Sequence, residues 1–66
     1  MGRIMNKIWK EIEQIRVAQN LTVCDMCNIF GLTEDEYIQM YRRRARLTEY
    51  QLIMFIISTK YPLKSI

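Results

Sequence analysis

Two cysteines stand three apart, Cys24 and Cys27, and a C-x-x-C pair can do two kinds of chemistry: hold a metal ion or shuttle a disulfide. A structural zinc site takes about four nitrogen or sulfur ligands. The chain has these two cysteines and no histidine, so one protomer cannot close such a site. A thioredoxin-like redox pair sits at a helix start that follows a strand. Thr22 can cap a helix here, but no strand-like run precedes it. The pair is therefore expected to be two reduced thiols, Cys27 packing as a small buried residue and Cys24 nearer the surface. Other enzymatic chemistry has no footing either, since there is no histidine for general base work and no glycine-rich phosphate loop. No catalytic residue, metal ligand or cofactor is assigned, and the expectation is a protein that is not an enzyme.

The remaining chemistry-bearing residues are ionic. The stretch "IFGLTEDEYIQMYRRR" (29–44) sets three carboxylates, Glu34, Asp35 and Glu36, ahead of Arg42, Arg43 and Arg44, with Arg46 just beyond. The net charge of +3 is segregated along the chain. Residues 1–20 carry four basic and two acidic groups, residues 21–40 carry four acids and no base, and residues 41–60 carry five bases and one acid. An arginine cluster in a basic flank is the footprint expected of a phosphate backbone. Three carboxylates at the entrance to a nucleic-acid groove argue the other way, because phosphates on both walls repel them. In the first turn of a helix, however, such acids are stabilised by the helix dipole, by about 0.3–1 kcal/mol each at low salt.

The elements that position these groups follow from composition and period. The chain has 66 residues, 50% hydrophobic and 26% charged, with two glycines and one proline. That suits one small domain over residues 1–66, too short for two cores. At this size roughly 60% of the unfolded chain's surface is buried on folding, so stability is modest. Few turn formers and many Ile, Leu, Met, Glu, Gln and Arg predict an all-α fold, a compact domain of four to five helices. The N-terminus interleaves charges with apolar residues, unlike a secretory signal. The longest apolar run, "LIMFII" (52–57), is too short to span a bilayer. Asn6 stands where a myristoylation pattern needs Ser or Thr. A soluble, cytoplasmic protein without a membrane partner is expected.

Ile4, Ile8, Ile12 and Ile15 form one stripe of a first helix over 4–19, widened by Trp9 and ending near Asn20, a residue that tolerates a left-handed backbone. The second helix starts at Thr22 as its cap, buries Met26, Cys27, Ile29 and Phe30, and stops at Gly31. The third follows at once. Thr33 and Glu36 have capping-box spacing, Tyr37 and Met40 are expected inward, and the helix should fray into the arginines at 42–44. Thr48 and Gln51 start a fourth helix in the same way. Leu52, Phe55, Ile56 and Thr59 mark one side of it, and Pro62 limits its length through Tyr61. Residues 62–66 are a short tail.

Two short helices, 22–30 and 33–42, joined by a tight glycine-containing turn and flanked by helices, outline a helix-turn-helix. The residues "IRVAQNLTVCDMCNIFGLTEDEYIQMYRRR", continuing weakly through "LTEYQLIMF", resemble the Cro and lambda-repressor (XRE-type) family of phage and bacterial regulators. The likeness rests on Leu21-Thr22, Cys27, Ile29-Phe30, Gly31-Leu32-Thr33, Tyr37 and Met40. It covers residues 12 to about 56, and all of these are fold positions. The resemblance implies that Glu34, Asp35 and Gln39 occupy the places from which the family reads base edges, with Ile38 on the same face. It implies that Arg42 contacts a phosphate, with Arg43, Arg44 and Arg46 beyond. Val23 stands where the family commonly has a phosphate-holding glutamine. The departures thus fall where DNA would be met.

Two functions of different classes follow. The first is a small DNA-binding transcriptional regulator of phage or mobile-element type, with double-stranded DNA as partner. Gln39 can pair with adenine, and Glu34 or Asp35 can accept from cytosine. Lys7 or Lys10 can add to the arginines on phosphate. Such a reader wants a homodimer matching a two-fold operator. Ile53, Met54, Ile57 and Tyr61 exceed what one core stripe needs, and they form either a dimer seam or packing under the first helix beside Trp9. The second function is a protein-binding helix-turn-helix module. Its face of Glu34, Asp35, Ile38 and Gln39, flanked by Tyr41, suits a basic protein surface, as in a phage-encoded inhibitor of a host defence nuclease or an antitoxin.

Overall fold

Every helix after the first begins with the same local device. A computed structural model describes residues 2–64, with side chains described from Met5 onward. Four helices are formed among these residues: α1 Gly2–Ala18, α2 Val23–Phe30, α3 Glu34–Arg43 and α4 Glu49–Thr59, with no strand. Thr33 Oγ1 accepts from the Glu36 amide at 3.1 Å, while the Glu36 carboxylate accepts from the Thr33 amide at 2.9 Å. Thr48 and Gln51 repeat the exchange at 3.1 and 2.9 Å. Thr22 and Asp25 make a third capping box, at 3.1 and 3.0 Å, that sequence reading had reduced to Thr22 alone. Asp is a shorter partner than the Glu or Gln of the usual pattern, yet its carboxylate still reaches the cap amide.

The helix ends are equally uniform. Each is closed by one residue in the left-handed region: Asn20 at φ 56°, Gly31 at 69°, Arg44 at 51° and Lys60 at 62°. Around Asn20, the amides of Leu21 and Asn20 donate to the carbonyls of Arg16 (2.9 Å) and Val17 (3.1 Å). Arg44 repeats this pair, with Ala45 donating to Met40 and Arg44 to Tyr41. Both are Schellman motifs, which satisfy carbonyls that a helix end otherwise leaves bare. The fray expected at 42–44 is thus a defined stop at Arg44. Likewise α4 ends at Lys60 through its own amide, which donates to the Ile56 carbonyl, two residues ahead of Pro62.

With their ends fixed, the helices turn their apolar sides onto one core. α1 contributes Ile8, Trp9 and Ile12, α2 contributes Met26, Cys27 and Phe30, α3 contributes Tyr37, and α4 contributes Leu52 and Phe55. Ile4, the first member of the expected stripe, lies outside the described side chains, while Ile15 packs partly buried at the core edge. Met40 is half-buried rather than fully inward. The centre is aromatic. The Trp9 ring lies edge-on to Phe30 (6.3 Å), Tyr37 (6.1 Å) and Tyr41 (5.8 Å), and Phe30 stacks between Tyr37 and Phe55. Edge-to-face and offset pairs at such distances add roughly 0.5–1.5 kcal/mol beyond the area they bury. The indole N–H donates to the Ala45 carbonyl at 2.8 Å, so the one polar atom of this ring is satisfied.

Two core residues come from segments with no period at all. Leu47, between α3 and α4, and Leu63, after Pro62, are both buried. Leu63 therefore docks the expected tail, and the Lys64 amide reinforces it by donating to Glu11 at 2.7 Å. The tail is described only as far as Lys64. Side chains also tie backbone ends across the fold: Gln19 donates to the Thr59 carbonyl at 2.8 Å and Gln51 to the Phe30 carbonyl at 3.3 Å. Among the described residues no helix is long and apolar enough to cross a membrane.

Candidate nucleic-acid interface

The outer face of α3 is built by what its inner face buries. Tyr37 goes to the core, which leaves Glu34, Asp35 and Gln39 exposed and Ile38 half-buried beside them. Glu36 is exposed as well, but its carboxylate is engaged in the Thr33 cap. The acids occupy the first turn of α3 and Arg42 and Arg43 the last, so both groups sit at the helix end whose partial charge favours them. All four candidate base-reading residues thus share one helix.

The arginines divide. Arg42 and Arg43 are exposed on the last turn of α3. Arg42 lines a groove of about 290 Å³ together with Glu13 and Arg16 of α1, Val23 at the start of α2, and Tyr37, Ile38 and Tyr41. This groove places an α3 arginine and an α1 arginine near Val23 in the first turn of α2, an end that the Thr22–Asp25 capping box already closes. Arg16 had no role in the sequence reading. It came into view only through folding, because nothing in the spacing of residues 16, 23 and 42 links them. Its guanidinium is held by the Glu13 carboxylate at 3.1 Å and by the Leu21 carbonyl at 3.2 Å, which fixes its direction.

Arg44 and Arg46 lie elsewhere. The Arg44 guanidinium sits over the Tyr41 ring, 4.8 Å from its centroid, and donates to the Tyr41 carbonyl at 3.4 Å. Arg46 is exposed and lines a different depression, with Met5, Ile8, Leu47 and Glu49 among its neighbours. Tyr41 shares the groove with Ile38 but turns towards α1. Its ring packs on Trp9, and its hydroxyl donates to Glu13. The aromatic ring is drawn inward because α1 offers both an apolar wall and an acceptor. That hydrogen bond, aided by Arg16, holds the Glu13 carboxyl below its ordinary range, so Glu13 stays ionised beside the groove.

Both cysteines are free thiols, Cys24 exposed and Cys27 buried, and burial pushes the Cys27 thiol up. A raised pKa keeps it protonated and a poor nucleophile. Among the described residues no three His, Cys, Asp or Glu side chains stand where they could hold a metal ion. Lys7 and Lys10 are exposed on α1. Compared with protein families, with curated proteins and with solved structures, the chain matches none.

Proposed function

We propose that this protein is a helix-turn-helix DNA-binding regulator that presents α3 to duplex DNA, of the small phage or mobile-element type and acting in the cytoplasm. The observation that carries this reading is the groove lined by Arg42, Arg16 and Val23 beside the exposed face of α3. α2 and α3 are joined only by Gly31, Leu32 and Thr33, and the two helices pack on each other. In such a unit Arg42 and Arg43 grip phosphates, which sets α3 along the major groove. Gln39 then pairs with adenine, and Asp35 or Glu34 accepts from a cytosine amino group. The carboxylates make non-specific binding weak, so the protein selects among sequences rather than coating DNA.

The test is binding to random duplex DNA by fluorescence anisotropy at about 50 and 200 mM salt. Phosphate contacts from Arg42 and Arg43 predict a loss of affinity on the order of tenfold between the two. Changing Arg42 and Arg43 to Ala should weaken binding and flatten that dependence. No binding at the lower salt, either to random duplex or to any sequence in a selection pool, would sink the reading.

A second reading is favoured by the groove's other walls. Val23, Ile38, Tyr37 and Tyr41 are apolar or aromatic, and Glu34 and Asp35 stand exposed on the neighbouring turn. Apolar side chains beside carboxylates suit a basic protein segment, such as the nucleic-acid channel of a nuclease or toxin. Failure on DNA directs the search to that partner.

A further inference from the structure

The large hydrophobic side chains left exposed among the described residues are five, and four of them belong to one short stretch: Tyr50 at 70%, Ile53 at 48%, Ile57 at 60% and Tyr61 at 53%. Tyr50, Ile53 and Ile57 recur at spacings of three and four, so they form one stripe along α4, on the side away from Leu52, Phe55 and Thr59. The stripe is not core that failed to close. Packing of these residues under α1 beside Trp9 is ruled out by their exposure, and Met54 is the one half-buried member of the set first considered. An apolar strip of this kind on so small a domain marks a docking surface.

We propose that a second copy of this chain covers the strip, with the two α4 helices antiparallel about a two-fold axis passing between Ile53 and Ile57. A two-fold interface must be self-complementary, residue i meeting j while j meets i. The strip's order is nearly symmetric: Tyr50, Ile53 and Ile57 lie along α4, and Tyr61 follows just past its Lys60 stop, so the residue types read Tyr, Ile, Ile, Tyr from either end. Antiparallel packing sets Ile53 against the partner's Ile57 and leaves a tyrosine of each chain at both ends of the seam. The charges have the opposite symmetry. Glu49 and Lys60 are both exposed, one at each end of α4. They are about three turns apart at 3.6 residues per turn, and so lie on the same flank of the strip. Antiparallel helices bring like flanks together, which places Glu49 beside the partner's Lys60 twice over. Parallel helices would set like charges at the same level. Matching apolar order with opposed end charges singles out a second copy rather than a foreign helix.

α4 spans about 17 Å at 1.5 Å per residue, so the seam is smaller than a standard interface of about 800 Å² per partner. The dimer is therefore weak, with a dissociation constant of roughly 10–100 µM. This inference stands apart from the DNA reading, and its test uses no nucleic acid. Sedimentation equilibrium of the full chain under reducing conditions, from about 5 to 500 µM, should show a mass rising from 8.0 kDa towards twice that value. Ile57→Asp should hold it at the monomer mass with an unchanged circular dichroism spectrum, and Ile53→Gln should weaken association in the same sense. Glu49→Lys and Lys60→Glu should each lower the association constant by about threefold to tenfold, and an equimolar mixture of the two should recover it. A wild-type chain that stays monomeric throughout, or an Ile57→Asp chain that associates as the wild type does, overturns the proposal. A mixture no better than either charge variant alone overturns the antiparallel arrangement.

Discussion

Tyr37 shows how much of this molecule turns on single side chains. It is buried between Trp9 and Phe30, and that burial pushes its hydroxyl up to about 12. A tyrosine exposed by unfolding titrates near 10. The unfolded chain therefore gives up this proton first. The contribution of a neutral Tyr37 is complete below about pH 10 and is lost as the pH rises towards 12. Two units correspond to on the order of 2–3 kcal/mol. Urea unfolding at about pH 9 and pH 11.5 should show that fall, and Tyr37→Phe should remove much of it. Residue identity also explains which candidates the sequence reached. Glu34, Asp35, Gln39 and Arg42 became candidates through the family resemblance, and their exposure follows from Tyr37 taking the inner face of the same helix. Arg16 and Val23 were not legible as partners of Arg42, because three helices must pack before those positions meet. Tyr41 could be set beside Ile38 from the helix period, whereas its bond to Glu13 could not, because that acceptor lies on α1.

At the level of elements, the ends carry the information. Three threonines with an acid or amide three residues on start α2, α3 and α4, and these signals are local enough to be written in the sequence. The stops are harder to read. Gly31 announces itself, but Arg44 and Lys60 take the same left-handed geometry without a residue type that advertises it. Gly31 also allows its role to be isolated. A methyl group built on it meets nothing within 4 Å, so only its φ of 69° demands glycine. Gly31→Ala should cost about 1 kcal/mol in chemical denaturation, and Gly31→Asn distinctly less, because Asn tolerates that conformation. An equal loss in both would mean that something other than backbone geometry holds this turn.

For the whole molecule, the number of helices and their order could be read from periodicity, whereas the closure of the core could not. Leu47 and Leu63 seal it from outside any helix, and a lone leucine in a loop has no period by which to be noticed. A domain of this length has a total stability of only about 3–10 kcal/mol. Leu63→Ala, which leaves a cavity under the chain's last turn, should remove about 2–4 kcal/mol of it and lower the thermal midpoint sharply. A change below 1 kcal/mol would mean that the tail adds little to the core. The molecule's surface divides similarly: one side holds α3 and its groove, while the exposed strip lies along α4. The residues that line the groove and those of the exposed strip do not overlap.

The enclosure of Trp9 has an optical consequence. It is the chain's one tryptophan, fully shielded from water and ringed by Phe30, Tyr37 and Tyr41. Its emission in the folded protein is therefore that of an indole in an apolar medium, and excitation of the adjoining tyrosines is funnelled into it. Because Tyr41 joins that ring to the turn that carries Arg42 and Arg43, the protein contains its own lamp beside the candidate interface, lit without any attached dye.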